Sequence, residues 1–459
     1  MGLDAAVHTP RPLLGKVLAN AGVLLTGRVA NAVISIAYLA VAARMLGARD
    51  VGVLILINAF AQLVADVVTF NSWQTVLHFG AAPLAEGRRG DLQQVIRFTI
   101  FNDVLSVLGG MAVAQIAIAV AGDHLGWGTD HSHAASIYCL SIIFMVAATP
   151  LGLMRLFNRF DLLAAQAPIT SGVRLAGSAL ALVFGASLSL FLAIWAAGTA
   201  ATFAYTAWVC LKEMKRRDLI SGFRWRGPLA RGLPGAWRFA WATNLSGSVD
   251  TAFTHAVTLV VGAVVGPASA ALWRIGRQVA DALVKPAKLL VPALYPELAR
   301  LNHTEGEKAM RKLASQVGLV GGSVATGALV VSAFAGEPLL RLILGEAFAS
   351  GAVVMTWQVA AAAISIWALP LEPMLVSLGR PGDALKVRFV VAALLLLVLA
   401  PVVKTHGLVG AGAALVCAMA ALAVGMFLML RWKRPPKAKL STEYEITCAD
   451  DPAQAKRAP

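Results

Sequence analysis

The chain has 459 residues, of which 58% are hydrophobic and only 14% carry charge, against about 25% charged residues in an average soluble domain. That balance excludes an ordinary soluble domain, and repeated apolar runs of about 20 residues mark a chain that crosses a membrane many times. The formal net charge of +15 reflects basic loops on one membrane face rather than nucleic-acid binding.

Twelve spans are predicted in chain order: 20–43, 52–78, 96–121, 134–157, 162–184 and 188–211, then 238–262, 267–294, 313–335, 352–378, 386–403 and 408–430. Arg28 interrupts the first apolar run, and no small-residue cleavage site follows it. The run therefore reads as a permanent span and not a cleaved leader. Alternate loops are poor in cations, holding only Arg44, Arg49, Arg341 and Lys404. The opposite loops hold the rest, from Arg88 and Arg89 through Lys212, Arg216 and Arg217 to Lys433 and Lys437. Cytoplasmic loops collect Lys and Arg, so both termini are expected in the cytoplasm. The expected fold class is all-α integral membrane, with about twelve helices in two six-helix bundles around a central cavity.

The expected division is 1–211 as one bundle, 212–237 as a basic cytoplasmic linker, 238–432 as the second bundle and 433–459 as a tail. The linker mixes Phe223, Trp225 and Trp237 with arginines, which suits a short interfacial helix or a solvated basic segment. A faint repeat supports the division. Leu46-Gly47-Ala48-Arg49-Asp50-Val51-Gly52 after span 1 matches Val265-Gly266-Pro267-Ala268-Ser269-Ala270-Ala271 after span 7 in its glycine turn.

Four arginines sit inside apolar spans: Arg28, Arg174, Arg274 and Arg277. A cation at the centre of a membrane helix costs roughly 2.5–3.5 kcal/mol on insertion scales, so such residues usually face a wet cavity or a partner. They fall on helical stripes of polar residues, because positions three, four or seven apart share a face. Span 1 aligns Arg28, Asn31, Ser35 and Tyr38; span 2 aligns Asn58, Gln62, Asp66, Thr69 and Trp73. Span 5 aligns Gln166, Thr170, Arg174 and Ser178; span 8 aligns Arg274, Arg277 and Asp281, with Gln278 beside them. A cationic cavity would suit an anionic passenger, since guanidinium pairs bidentately with phosphate oxygens. The candidate binding residues are therefore Arg28, Arg174, Arg274, Arg277, Asn31 and Gln62, with Arg28 and Arg277 ranked first. The alternative for each is polar contact between helices, with Arg277–Asp281 a simple i,i+4 pair. Asp66, Glu372 and Asp250 are candidates for ion coupling, because a buried carboxylate can carry a proton. Pro370 and Pro373 flank Glu372 and predict a broken helix there.

Other chemistries lack their residues. The four cysteines form no CxxC pair, and His131-Ser132-His133 in a short polar loop reads as solvated rather than metal-binding. No cofactor or metal is expected. There is no GxxxxGK[ST] motif and no DxD-like cluster in the basic loops, which argues against ATP hydrolysis by a P-loop and against glycosyl transfer.

Several segments resemble a known family. Ala43-Arg44-Met45-Leu46-Gly47 followed by Val51-Gly52-Val53-Leu54 resembles the N-terminal signature of Wzx-type polysaccharide flippases, of the multidrug/oligosaccharidyl-lipid/polysaccharide exporter superfamily. Arg155-Leu156-Phe157-Asn158-Arg159-Phe160 is similar to that family's link between spans 4 and 5, and Leu294-Tyr295-Pro296-Glu297-Leu298-Ala299-Arg300 to its segment after span 8. Gly336-Glu337-Pro338-Leu339-Leu340, Leu344-Gly345-Glu346-Ala347-Phe348, Leu378-Gly379-Arg380 and Gly407-Leu408-Val409-Gly410-Ala411 follow in the family's order. The resemblance covers roughly 15–432. It implies alternating access in a bacterial inner membrane and a polyprenyl-diphosphate-linked glycan as passenger. It also implies membrane lipids and other polysaccharide assembly proteins as partners, and no enzymatic step. The alternatives are a cation-coupled drug antiporter of the same superfamily and a membrane enzyme of glycan assembly.

Overall fold

In the computed structural model, residues 11–431 are described apart from 226, 231, 289–297, 299–305 and 379. Side chains are described from 31 onward, except at 32, 33, 245–254, 285, 286, 288, 307 and 381. Every long regular element among the described residues is a helix, and there is no strand. The first six helices in sequence are α1 (Arg11–Val68), α2 (Ser72–Ala85), α3 (Arg89–Ala121), α4 (Ser132–Cys139), α5 (Ile142–Met145) and α6 (Ala148–Leu156). They are followed by α7 (Phe160–Phe184), α8 (Leu188–Arg216), α9 (Ala236–Val265) and α10 (Pro267–Lys288). The last four are α11 (Glu307–Leu344), α12 (Ala352–Trp367), α13 (Leu371–Ser377) and α14 (Pro381–Arg431).

Two of these are pairs of helices joined at a glycine. Gly47 (φ 75°) breaks α1 and Gly407 (φ 58°) breaks α14. Gly185, Gly266 and Gly345 close other turns at φ 92°, 99° and 101°. Only glycine adopts these positive angles without a steric cost. Split at these turns, with α2, α4–α6 and α12–α13 taken as parts of broken spans, the described helices make the twelve passes expected. The glycine turns gather at one end. Arg44 donates through Nη2 to the Leu342 carbonyl at 2.5 Å, beside Gly345, and Gly52 abuts Pro267.

Three spans are interrupted within their length. Residues 69–71 separate α1 from α2, so Thr69 and Trp73 leave the stripe predicted from Asn58 to Asp66; Trp73 instead lies under the Arg155 guanidinium, 4.3 Å from its ring centre. The span of α4–α6 bends by 48°. The third break, at 368–370, falls where Pro370 and Pro373 predicted it. Broken backbone at membrane depth must find partners inside the protein. At 69–71 it does. Phe70 N–H donates to Ser106 Oγ (3.2 Å), Asn71 Nδ2 to the Thr243 carbonyl (2.8 Å), and Asn244 Nδ2 to the Thr69 carbonyl (2.7 Å).

Burial is distributed as lipid requires. Val51, Leu54, Leu56 and Ile57, after the Gly47 turn, are fully buried, and they join one apolar core with Phe191, Ile275, Phe348 and Val359. That core therefore unites helices from both sides of the linker. Large apolar side chains such as Val183, Phe334 and Leu397 point outward, an arrangement tolerated only where the surrounding solvent is hydrocarbon.

The linker is not the interfacial helix considered above. The described residues between 217 and 235 (217–225, 227–230 and 232–235) form turns and irregular backbone strapped to α3. Gln93 Nε2 donates to the carbonyls of Leu219 and Ser221, both at 2.9 Å. Arg97 donates to those of Arg224 (3.1 Å) and Pro228 (2.8 Å). Arg89 pairs with Asp218, and the Ser221 hydroxyl together with Arg89 holds that carboxyl below its ordinary range.

Candidate functional site

The stripes predicted on spans 1 and 5 face each other. The Ser171 hydroxyl of α7 donates to Asn31 Oδ1 of α1 (2.6 Å) and shares a hydrogen bond with Ser35 (2.8 Å). Asn31 thus contributes a helix-to-helix contact outside the cavity wall. One turn further along, Arg174 reaches back to α1. Its Nη1 donates to the Tyr38 hydroxyl (3.3 Å), and its guanidinium lies 4.3 Å from the Trp195 ring centre on α8. Gly198 makes room for it, since a Cβ there would stand 3.2 Å from Arg174 Cγ.

Arg174 is 93% buried, with a relative exposure of 7%. Among the described residues it forms no ion pair with a carboxylate, and neither does Arg274. Both line a small cavity of about 40 Å³, together with Tyr38, Asn58, Gln62, Trp195 and Gln278. Asn58 is fixed by the Tyr138 hydroxyl, which donates to its Oδ1 (2.8 Å). Three buried groups on this wall have no hydrogen-bond partner among the described residues: Arg174 Nε, Trp195 Nε1 and Gln278 Nε2. All three are donors. A wall of two cations and unsatisfied donors is complementary to an acceptor, most favourably an anion, because the energetic cost of a buried unpaired donor is recovered only when an acceptor arrives.

The remaining predicted residues fall elsewhere. Arg277 turns to Asp281 at 3.1 Å, though it stays within electrostatic reach of Arg274. The structure brings Arg174, Arg274 and Gln62 together at the cavity, while Arg277, ranked first with Arg28 from the sequence, is paired with Asp281. The side chains of Arg28 and Asp250 lie outside the described residues. Asp66 is not isolated; its Oδ2 lies 3.4 Å from His255 Nε2 of α9. Glu372 pairs with Arg388 at 3.2 Å. Among the described residues no His, Cys, Asp and Glu group could hold a metal ion. Trp195 escaped sequence reasoning. Its signal was a small-and-polar stripe on α8, Trp195-Gly198-Thr202-Thr206, at i+3 and i+4 spacings.

Around the cavity the helices meet closely at the glycine-turn end. A Cβ on Gly52 would stand 1.9 Å from the Pro267 carbonyl oxygen, and one on Gly126 would stand 2.7 Å from that of Gly262. Small residues permit such approach between membrane helices. That end is tightly packed, and the cavity is far smaller than any lipid-linked glycan.

These features define an all-α integral membrane protein with a cationic cavity among its helices. It has the fold of transporters of the MOP superfamily. A multidrug resistance MATE family transporter of that superfamily, in an inward-facing conformation, superposes with a TM-score of 0.68 at 11% identity, over 90% of this chain and 97% of that one. The lipid II flippase MurJ, in an inward closed conformation, gives 0.65 at 12% identity, over 90% and 88%. By sequence the chain is similar to the inner membrane protein YghQ of Escherichia coli (strain K12), at 28% identity over 334 residues, covering 72% of this chain and 92% of that protein. No protein-family model matches the chain.

Proposed function

We propose that the protein is a flippase for a polyprenyl-diphosphate-linked oligosaccharide, moving it across the bacterial inner membrane for assembly of a surface or exported polysaccharide. The observation that carries this reading is the pairing of Arg174 and Arg274 at one cavity without a carboxylate, amid unsatisfied donors. An ionised drug cation would be repelled there; a diphosphate would satisfy both guanidinium groups. The likeness to a lipid II flippase supports a lipid-linked passenger. In this reading Arg28 and Arg277 extend the same cationic path, and 1–211 and 238–432 move as two bundles with both termini cytoplasmic. In this reading the small cavity is that of a closed state and widens when the bundles part. No bond is made or broken in the cycle.

The test is transport by the full-length protein in proteoliposomes carrying a labelled polyprenyl-diphosphate oligosaccharide. Arg174→Ala and Arg274→Ala should each abolish transfer between leaflets while Asn31→Ala retains it. Wild-type transfer by both arginine variants would sink the assignment. A cation-coupled drug antiporter would instead show drug efflux that depends on Asp66 or Glu372 and tolerates loss of both arginines.

A further inference from the structure

Away from the cavity, the break at 368–370 leaves a groove of about 360 Å³ against the last turns of α14. That volume falls in the range of small-molecule clefts, roughly 300–1,000 Å³. Trp367, Ala368 and Leu371 line one side, and Ala423, Val424 and Phe427 the other. Every lining residue is apolar, and two small alanines leave the space that the two aromatic rings border. Trp367, Val424 and Phe427 are 43%, 56% and 44% exposed, so the groove opens on the surface that faces hydrocarbon. Its aromatic wall is held from behind. Trp367 Nε1 donates to Thr326 Oγ1 of α11 (3.2 Å), and Gly322, one turn earlier, gives the indole a slot, since a Cβ there would stand 2.2 Å from the ring.

One end of the groove is cationic. Arg431 closes α14 with its guanidinium 4.6 Å from the Phe427 ring centre. Four residues along a helix span about 6 Å, so this cation stands at the mouth of an apolar slot. Among the described residues it forms no ion pair. Glu372, the carboxylate next to Leu371, is paired with Arg388 at 3.2 Å and its charge is offset. A fixed apolar slot beside a cation is complementary to an alkyl chain that ends in an anionic head. Guanidinium pairs with phosphate oxygens, and Lys and Arg at the membrane surface attract anionic lipids. A zwitterionic head group brings its own cation to the same place and gains less. A partner helix laid in the groove would press apolar surface onto Arg431 and strip its water.

We propose that this groove binds an anionic phospholipid of the surrounding bilayer, with one acyl chain between Trp367 and Phe427 and the phosphate on Arg431. The site does not depend on what the central cavity carries.

The experiment is tryptophan fluorescence of the purified full-length protein in mixed micelles, titrated with phosphatidylglycerol or phosphatidylcholine carrying brominated acyl chains. Bromine quenches an indole only at contact, and the difference between wild type and Trp367→Phe isolates the groove from the other tryptophans. The Trp367 component should be quenched saturably, with a half-quenching mole fraction about fivefold lower for phosphatidylglycerol, the effect of one surface cation on an anionic lipid. Arg431→Gln should erase that preference, and Ala423→Phe, which fills the groove, should remove the component. The wild-type comparison of the two lipids decides the matter even where a variant fails to fold. Equal half-quenching by both lipids, an undiminished preference in Arg431→Gln, or unchanged quenching in Ala423→Phe would each overturn the site. Relief of quenching by a polyprenyl phosphate at lower mole fraction than by unbrominated phosphatidylglycerol would also overturn it, and would assign the groove to a polyprenyl tail.

Discussion

Gly52→Ala tests the seal at the glycine-turn end. The added Cβ would lie 1.9 Å from the Pro267 carbonyl oxygen, whereas ordinary contact begins at 3.4 Å. The contacting atoms are backbone, so no rotamer change relieves the clash; α1 and α10 must separate by about 1.5 Å. Overpacking of this kind costs roughly 1–3 kcal/mol. Applied to a closed state in equilibrium with an open one, that shifts the ratio by about 5- to 150-fold. Gly262→Ala is the graded control, since the nearest atoms its Cβ would meet all belong to the Leu56 side chain rather than to backbone. The assay is the labelling rate of a cysteine at Gln62, on the cavity wall, with the native cysteines replaced. A membrane-impermeant thiol reagent is added from the glycine-turn side. Labelling should accelerate strongly in Gly52→Ala and modestly in Gly262→Ala. Equal labelling in Gly52→Ala and its parent would show that this contact does not hold the cavity shut.

Further expectations concern individual contacts. Arg174→Lys should fail to restore transport lost in Arg174→Ala, because an ammonium cannot reproduce the guanidinium stack on Trp195; measured flipping by the lysine variant at wild-type rate would contradict this. His255→Ala should weaken closure by about 1 kcal/mol or less, the scale of a partly exposed pair, read as faster cavity labelling than wild type. Asp218 has a depressed carboxyl pKa in the folded protein, so its contribution is present above the unfolded value of about 3.9 and is lost as pH falls through the folded value. The protection factors of linker amides at 219–225, with the pH-dependent intrinsic exchange rate divided out, should therefore fall on strong acidification and change much less in Asp218→Asn, where that contribution is already gone. Tyr138→Phe removes the donor to Asn58 and should destabilise the protein by about 1 kcal/mol; an unchanged melting temperature would show that this bond contributes nothing net.

Hydropathy, loop charge and turn glycines determined the helical class, the twelve passes and the break at Pro370, because each depends on local composition or backbone geometry alone. They also picked out Arg174, Arg274 and Gln62, since a buried cation or amide in an apolar run is anomalous wherever it folds. The faint repeat at Gly47 and Gly266 reflected a shared turn, with φ 75° and 99°. Which anomalous residues converge is a different matter. Arg277 and Arg274 are three positions apart on one helix, yet one meets Asp281 and the other lines the cavity. Periodicity assigns a side chain to a face; it does not say what packs against that face. The same holds for Asn31, taken up by Ser171, and for Trp195, an ordinary apolar residue in its own helix until Arg174 stacks on it. The breaks at 69–71 and 146–147 carry no proline at the break itself. They persist because residues distant in sequence, among them Ser106, Asn244 and Asp103, satisfy the freed backbone groups. The order of helical passes was thus written in the chain, while the contents of its polar sites were decided by tertiary packing, where the partner of each buried polar group is fixed by three-dimensional proximity and not by spacing along a helix.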